Sequence, residues 1–237
     1  MNVRYIFIAL SSLCLLAGCI GSRQKGEGEE EGTAETQVTD TTAVAGFTWR
    51  DTLFVEMPIP PEIEARMRGV SYPAGATVSL QSLRYLRLSY VDFEGNDQNG
   101  ELVCNKQIAK DLLDIFRALY LARYPIRSIR LIDDFGGSDD ASMEADNTSC
   151  FNYRPVSGGS SLSKHALGLA VDVNPLENPY VKGNTVLPGN AAPYVDRAQS
   201  FPHKIDQNDL CYELFTAHGF KWGGSWRSLK DFQHFEK

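Results

Sequence analysis

The chain has 237 residues, 43% of them hydrophobic, with 23 Lys and Arg against 30 Asp and Glu and a formal net charge of −7. That balance, with no basic stripe along the chain, argues against a nucleic-acid partner. The apolar content is that of a globular domain with a substantial core, not of a fibrous or wholly disordered chain.

Residues 1–18 read as an export signal. Arg4 supplies the positive charge, Tyr5 to Leu13 the apolar run, and Leu16, Ala17 and Gly18 a small-residue cleavage site before Cys19. The apolar run is well short of the roughly 20 residues that cross a bilayer. Small residues followed by cysteine resemble the lipobox of bacterial lipoproteins. This implies cleavage before Cys19, a lipid on its sulfur, and a membrane contact made through that lipid. The implied location is the cell envelope, facing the periplasm from the outer membrane. A plain secretory signal with an incidental cysteine is the competing reading.

Residues 19–46 carry Glu27, Glu29, Glu30, Glu31, Glu35 and Asp40 against Arg23 and Lys25, with almost no large apolar side chains. Such a segment cannot bury a core and is expected to be a disordered acidic tether. Residues 47–237 remain for one domain. Within it Cys104, Cys150 and Cys211 are an odd set in a compartment that permits disulfides. One pair plus a buried thiol and three buried thiols both stay open, and none has C-x-x-C spacing.

The predicted elements follow in order. Residues 58–68 suggest a short helix entered through prolines, and residues 78–90 mix strand and turn. The clearest helix spans 105–122: Asn105 caps it, Ile108, Leu112, Ile115, Phe116 and Leu119 share one face, and Pro125 lies beyond its end. Residues 126–133 read as a strand and 135–154 as a long polar loop, a feature usually tied to function. A second helix over 207–218 precedes Gly219, which suits a left-handed C-terminal cap. Strands alternating irregularly with helices predict an α+β fold.

The densest chemistry lies in Ser163-Lys164-His165-Ala166-Leu167-Gly168-Leu169-Ala170-Val171-Asp172-Val173-Asn174. From Leu169 the alternation is that of a strand, with Leu169, Val171 and Val173 toward the core and Asp172 on the other face. Gly168 lets the chain from His165 fold back, so His165 and Asp172 can converge. The C-terminal segment pairs Trp222-Gly223-Gly224-Ser225-Trp226 with Asp231-Phe232-Gln233-His234-Phe235. In a flat strand Asp231 and His234 would face opposite sides, so a site that uses both requires a bend. The two tryptophans around the glycines suggest an aromatic wall over a closely approaching backbone.

Together, Ser-x-His, six residues, Asp, then Trp-Gly-Gly-x-Trp and Asp-x-x-His-Phe resemble the zinc family of D-alanyl-D-alanine carboxypeptidases and L-alanyl-D-glutamate endopeptidases. That group shares its fold with hedgehog signalling domains. The resemblance covers roughly residues 140–236. It implies a mainly antiparallel sheet with flanking helices and a Zn2+ site on the sheet, held by His165, Asp172 and His234. It also implies that Asp231 is the general base, that Arg154 steadies the substrate and that Ser163 supports a ligand from behind. Two imidazoles and one carboxylate leave a position for water, as in catalytic rather than structural zinc sites. Zinc lowers the pKa of such a water to about 7. The implied substrates are the stem peptides of peptidoglycan, and a monomer is expected. His203 and His218 are expected to be structural.

Three other functions fit parts of this pattern. Two histidines and a carboxylate also describe non-haem iron oxygenases, whose reduced iron and cytosolic co-substrates suit the cell surface poorly. A non-catalytic zinc-containing wall-binding module would have no need of Asp231. Within the enzymes, the closing motifs resemble the L-Ala–D-Glu endopeptidase branch more than the D-alanyl-D-alanine carboxypeptidase branch.

Overall fold

The computed structural model describes residues 53–156 and 161–237; the signal, Cys19 and the acidic tether lie outside them. Strand β1 (Phe54–Met57) and helix α1 (Pro61–Met67) come first, and Pro61 opens the helix where its missing N–H costs nothing. Strands β2 (Leu83–Val91) and β3 (Asp97–Asn105) then pair antiparallel, with β1 on the free edge of β2. Both faces of β2 are buried. Leu86, Leu88 and Tyr90 pack into the main core, whereas Leu83 and Tyr85 join a smaller cluster with Ile63 and Met67 of α1. This double burial hides simple alternation over 78–90.

Helix α2 (Ala109–Leu121) carries the predicted stripe, and Ile108, Leu112, Ile115, Phe116 and Leu119 are all buried. It begins four residues later than expected. The Asn105 side chain accepts from the Gln107 N–H at 3.1 Å, so it closes the turn before the helix rather than capping the helix itself. The strand expected over 126–133 shrinks to β4 (Ser128–Ile129). Side-chain amides explain why: Asn174 accepts from the Arg127 N–H at 3.1 Å and Asn147 from the Arg130 N–H at 2.9 Å, so these backbone donors need no neighbouring strand. The expected loop over 135–154 contains helix α3 (Asp139–Glu144), capped by the Ser138 hydroxyl, and strand β5 (Asn147–Thr148), parallel to β4.

Strand β6 (Ala170–Asp172) follows, then the hairpin β7 (Tyr180–Lys182) and β8 (Thr185–Leu187). Helix α4 (Leu210–Ala217) is capped by Asp209 and ends at Gly219 with φ 83°, as its sequence predicts. Strands β9 (Lys221–Trp222), β10 (Lys230–Asp231) and β11 (His234–Glu236) complete the chain.

The fold is therefore mixed α and β, but the single sheet expected from the resemblance is divided. The described residues form three antiparallel sheets of three strands, β1-β2-β3, β10-β7-β8 and β6-β11-β9, and the parallel pair β4-β5. Phe235 of β11 stacks on Phe215 of α4 with ring centroids 4.3 Å apart, and Val171 of β6 lies opposite Phe235. Each such burial contributes about 1.5–3 kcal/mol. It also fixes which face of β6 and β11 turns away from the core. Among the described residues no helix is long and apolar enough to cross a membrane, and Cys104, Cys150 and Cys211 are free, buried thiols.

Candidate metal centre

The apolar residues of β6 and β11 decide where the polar ones go. With Val171 and Phe235 directed into the core, their neighbours Asp172 and His234 must face the other way, and the strand register sets these two directly opposite each other. His234 Nδ1 lies 2.9 Å from Asp172 Oδ1. His165 reaches the same point from a 3-10 turn, His165–Leu167, that ends at Gly168 with φ 67°. A Cβ on Gly168 would sit 2.7 Å from the Asn105 backbone nitrogen, so both conformation and contact require glycine there. His165 Nε2 comes within 3.2 Å of Asp172 Oδ2 and 3.2 Å of His234 Nδ1. The convergence predicted for His165 and Asp172 is thus present.

The donor set fits a zinc ion. The three ligand atoms lie within 4.8 Å of one another, on residues that are all buried. Ligand atoms on a tetrahedron with bonds of about 2.0–2.1 Å stand about 3.3 Å apart, close to the spacing found here. Each imidazole also has an outer partner. His165 Nδ1 is 2.6 Å from the Cys150 carbonyl, so it donates there and leaves Nε2 as the ligand atom. His234 Nε2 is 3.4 Å from Glu236 Oε2, which leaves Nδ1.

The electrostatics agree. Burial alone would raise the Asp172 carboxyl, but the adjacent His165 and His234 rings hold it far below the usual range. Burial opposes charge on His234, yet hydrogen bonds with Asp172 and Glu236 push it up to about 10. The ionised carboxylate draws a proton onto the neighbouring ring, and a divalent cation would take that proton's place between Asp172 and His234 Nδ1.

A cavity of about 330 Å³ opens over this cluster, and Arg154, Ser163 and Asp231 also line it. One wall is the face of the β10-β7-β8 sheet. Asp231 pairs with Tyr180 and Tyr180 with Leu187, so these three side chains and Lys182, two residues along β7, point to one side. Helix α3 lines the cavity through Asp139 and Met143. Trp226 lines it as well, its ring 5.3 Å from that of His234. Trp222 instead belongs to the core and donates its indole N–H to the Phe232 carbonyl at 2.8 Å, so the expected aromatic wall consists of one tryptophan.

Asp231 is half-buried; its Oδ1 is enclosed with no hydrogen-bond partner among the described residues, and desolvation pushes the carboxyl up to about 6 against the pull of His234. The chain does bend between Asp231 and His234, because β10 ends and β11 begins on either side of Phe232 and Gln233. Gly223 makes the bend possible: a Cβ there would meet the Asp231 carbonyl oxygen at 2.6 Å. Ser163 Oγ accepts the backbone N–H of His165 at 3.2 Å, so it holds that residue's main chain, while the ring itself is partnered by the Cys150 carbonyl. Arg154 pairs through Nη2 with the Asp139 carboxylate.

His203 and His218 stay outside this group. The first stacks on Phe93, and the second lies 3.2 Å from Asp111. Tyr180, Lys182 and Leu187 of the hairpin, Asp139 and Met143 of α3, and the outer partners Glu236 and Cys150 are site residues beyond those expected from the motifs. Glu236 was readable, since in strand β11 it shares a face with His234. The Cys150 carbonyl carries no side-chain signal.

No curated protein and no solved structure matches the chain. A family model does, that of D-alanyl-D-alanine carboxypeptidase, over residues 157–237. The matched segment contains His165, Asp172, Asp231 and His234, and Arg154 falls just before it. The resemblance drawn from the motifs is thus matched over residues 157–237, where the chain is similar to the D-alanyl-D-alanine carboxypeptidase family.

Proposed function

We propose that this chain is a zinc-dependent peptidase of peptidoglycan, hydrolysing the stem peptide, with the L-Ala–D-Glu bond as its target. The observation that carries this reading is the convergence of His165, Asp172 and His234 beside the unpartnered, raised carboxyl of Asp231 in one cavity. A recognition module would have no use for that carboxyl. His165 Nε2, Asp172 and His234 Nδ1 would hold the zinc. When bound, the ion supplies Lewis acidity to the scissile carbonyl and lowers the pKa of a water to about 7.

The chain's own residues do the rest. Asp231, ionised at neutral pH, takes the proton of the attacking water and passes it to the amine that leaves. The low-dielectric cavity strengthens each of these interactions. Arg154 binds a substrate carboxylate, for which its planar fork suits two parallel hydrogen bonds. On the leaving side of an L-Ala–D-Glu bond a free α-carboxylate sits next to the new amine. A monomer held at the periplasmic face of the outer membrane by lipid on Cys19, through the tether 19–46, would meet that substrate in place.

The second reading is D-alanyl-D-alanine carboxypeptidase, favoured by the description of the matching family. D-Ala-D-Ala also offers Arg154 a carboxylate, so the arginine alone does not choose. Digestion of purified wall followed by mass spectrometry does. We expect muropeptides cut to leave L-alanine on the muramyl side and to release peptides beginning with D-glutamate. Loss of terminal D-alanine alone would replace the endopeptidase assignment with the carboxypeptidase one.

A further inference from the structure

The ion pair between Arg154 and Asp139 has no part in the chemistry described above, yet it lies on the cavity wall. Both side chains are only about a quarter exposed, at 24% and 25%. Asp139 opens helix α3, directly after the Ser138 cap. Its Oδ1 lies 3.5 Å from the amide nitrogen of Asn152, a buried residue whose amide also donates to the Gly137 carbonyl at 3.3 Å. The helix is fixed in turn. Ser142 Oγ accepts from Asn147 at 3.0 Å, and the Met143 sulfur accepts from Gln233, next to the ligand His234, at 3.4 Å. Asp139 is therefore an anchored carboxylate, whereas a long arginine side chain left alone samples many rotamers.

The donor count on Arg154 shows what this anchoring leaves. Of its five N–H groups, Nε is buried without a partner among the described residues, Nη1 donates one hydrogen to the Pro155 carbonyl at 3.4 Å, and Nη2 gives one to Asp139. Among the described residues one hydrogen remains on each terminal nitrogen, and a carboxylate can take two such donors of one planar group together. We propose that Asp139 is a positioning residue, which holds the Arg154 guanidinium so that its two remaining terminal hydrogens meet a carboxylate of the peptide substrate. This rests on the reading of Arg154 as the substrate clamp. Asp139 does not touch the substrate; it acts through Arg154, by removing the freedom that binding would otherwise have to remove.

The test is made on the zinc-loaded chain with an intact stem peptide and with the same peptide carrying a carboxamide in place of the recognised carboxylate. For Asp139→Ala we expect KM to rise roughly tenfold with kcat within about twofold, since misplacing a positioning group can cost up to about 10²-fold. The carboxamide peptide should show no change, and Asp139→Asn, which retains an accepting oxygen, should recover part of the loss. In an Arg154→Ala background the Asp139→Ala change should add nothing, because the group it positions is gone. Calorimetry with the Asp231→Asn variant reads the same step without turnover. Unchanged or tighter binding after Asp139→Ala would overturn the proposal and make Asp139 neutral toward, or a competitor for, the substrate carboxylate. A wild-type chain that holds zinc but neither binds nor cuts stem peptides would instead overturn the peptidase reading, and the proposal with it.

Discussion

His234→Ala should reduce the zinc content of the purified chain from close to one per molecule to near zero and abolish peptidase activity. His234 supplies one of three converging ligand atoms, and the register of β11 against β6 makes it the residue that faces Asp172 directly. Outer partners of a metal ligand alone change affinity by about 10–100-fold, so removing the ligand itself should cost more. His218→Ala is the matched control, since that ring lies beside Asp111 and away from the cavity, and it should keep its zinc. Circular dichroism separates metal loss from unfolding, because Phe235 and Val171 still anchor both strands in the core. Full zinc occupancy in a folded His234→Ala chain would remove this residue from the ligand set.

The second large effect concerns Asp231. Asp231→Asn should keep the fold and the zinc yet lose about 10²–10⁴-fold in kcat, the usual contribution of a general acid–base group. The substitution is nearly isosteric and the side chain is not one of the three converging ligands. The pH profile gives an independent reading. A base works only when ionised, so activity should be present above the Asp231 pKa and fall as pH drops through it. Burial raises that carboxyl to about 6, and the charge of a bound dication pulls it lower, so the acid limb should lie at or below about pH 6. The limb should be missing from the residual activity of Asp231→Asn. Wild-type turnover in that variant, or a wild-type limb well above pH 7, would place the base elsewhere.

What the sequence made legible follows from the range of each signal. The stripe on α2 and the alternation of β6 are local periodicities, and local periodicity reports directly which face is buried. Gly168 was readable because a histidine and an aspartate seven residues apart can meet only if the chain turns between them. The same logic required the bend between Asp231 and His234. Strand β4 is shorter than its apolar run suggests because Asn147 and Asn174, distant in sequence, take its neighbours' backbone hydrogen bonds. No window around residues 126–133 contains that information.

Helix α3 is a different case. Ser138 with Asp139 and Asp140 in the first turn is an N-cap signature. It was obscured by the Gly and Asp content around it, and with it went the ion pair that holds Arg154. The hairpin β7–β8 carries a third kind of signal. Gly183 with φ 57° marks its turn, but nothing local says that Tyr180, Lys182 and Leu187 line the same cavity as Asp231. That follows only from the pairing of β7 with β10, a contact across fifty residues of chain.

Diffraction from a zinc-loaded crystal, measured above and below the zinc absorption edge, tests the central claim most directly. The account predicts one strong anomalous peak, bounded by His165 Nε2, Asp172 and His234 Nδ1, with the Asp231 carboxylate nearby but outside the ligand set. A chain that cuts stem peptides with no metal at that point, or with zinc bound elsewhere, would contradict it.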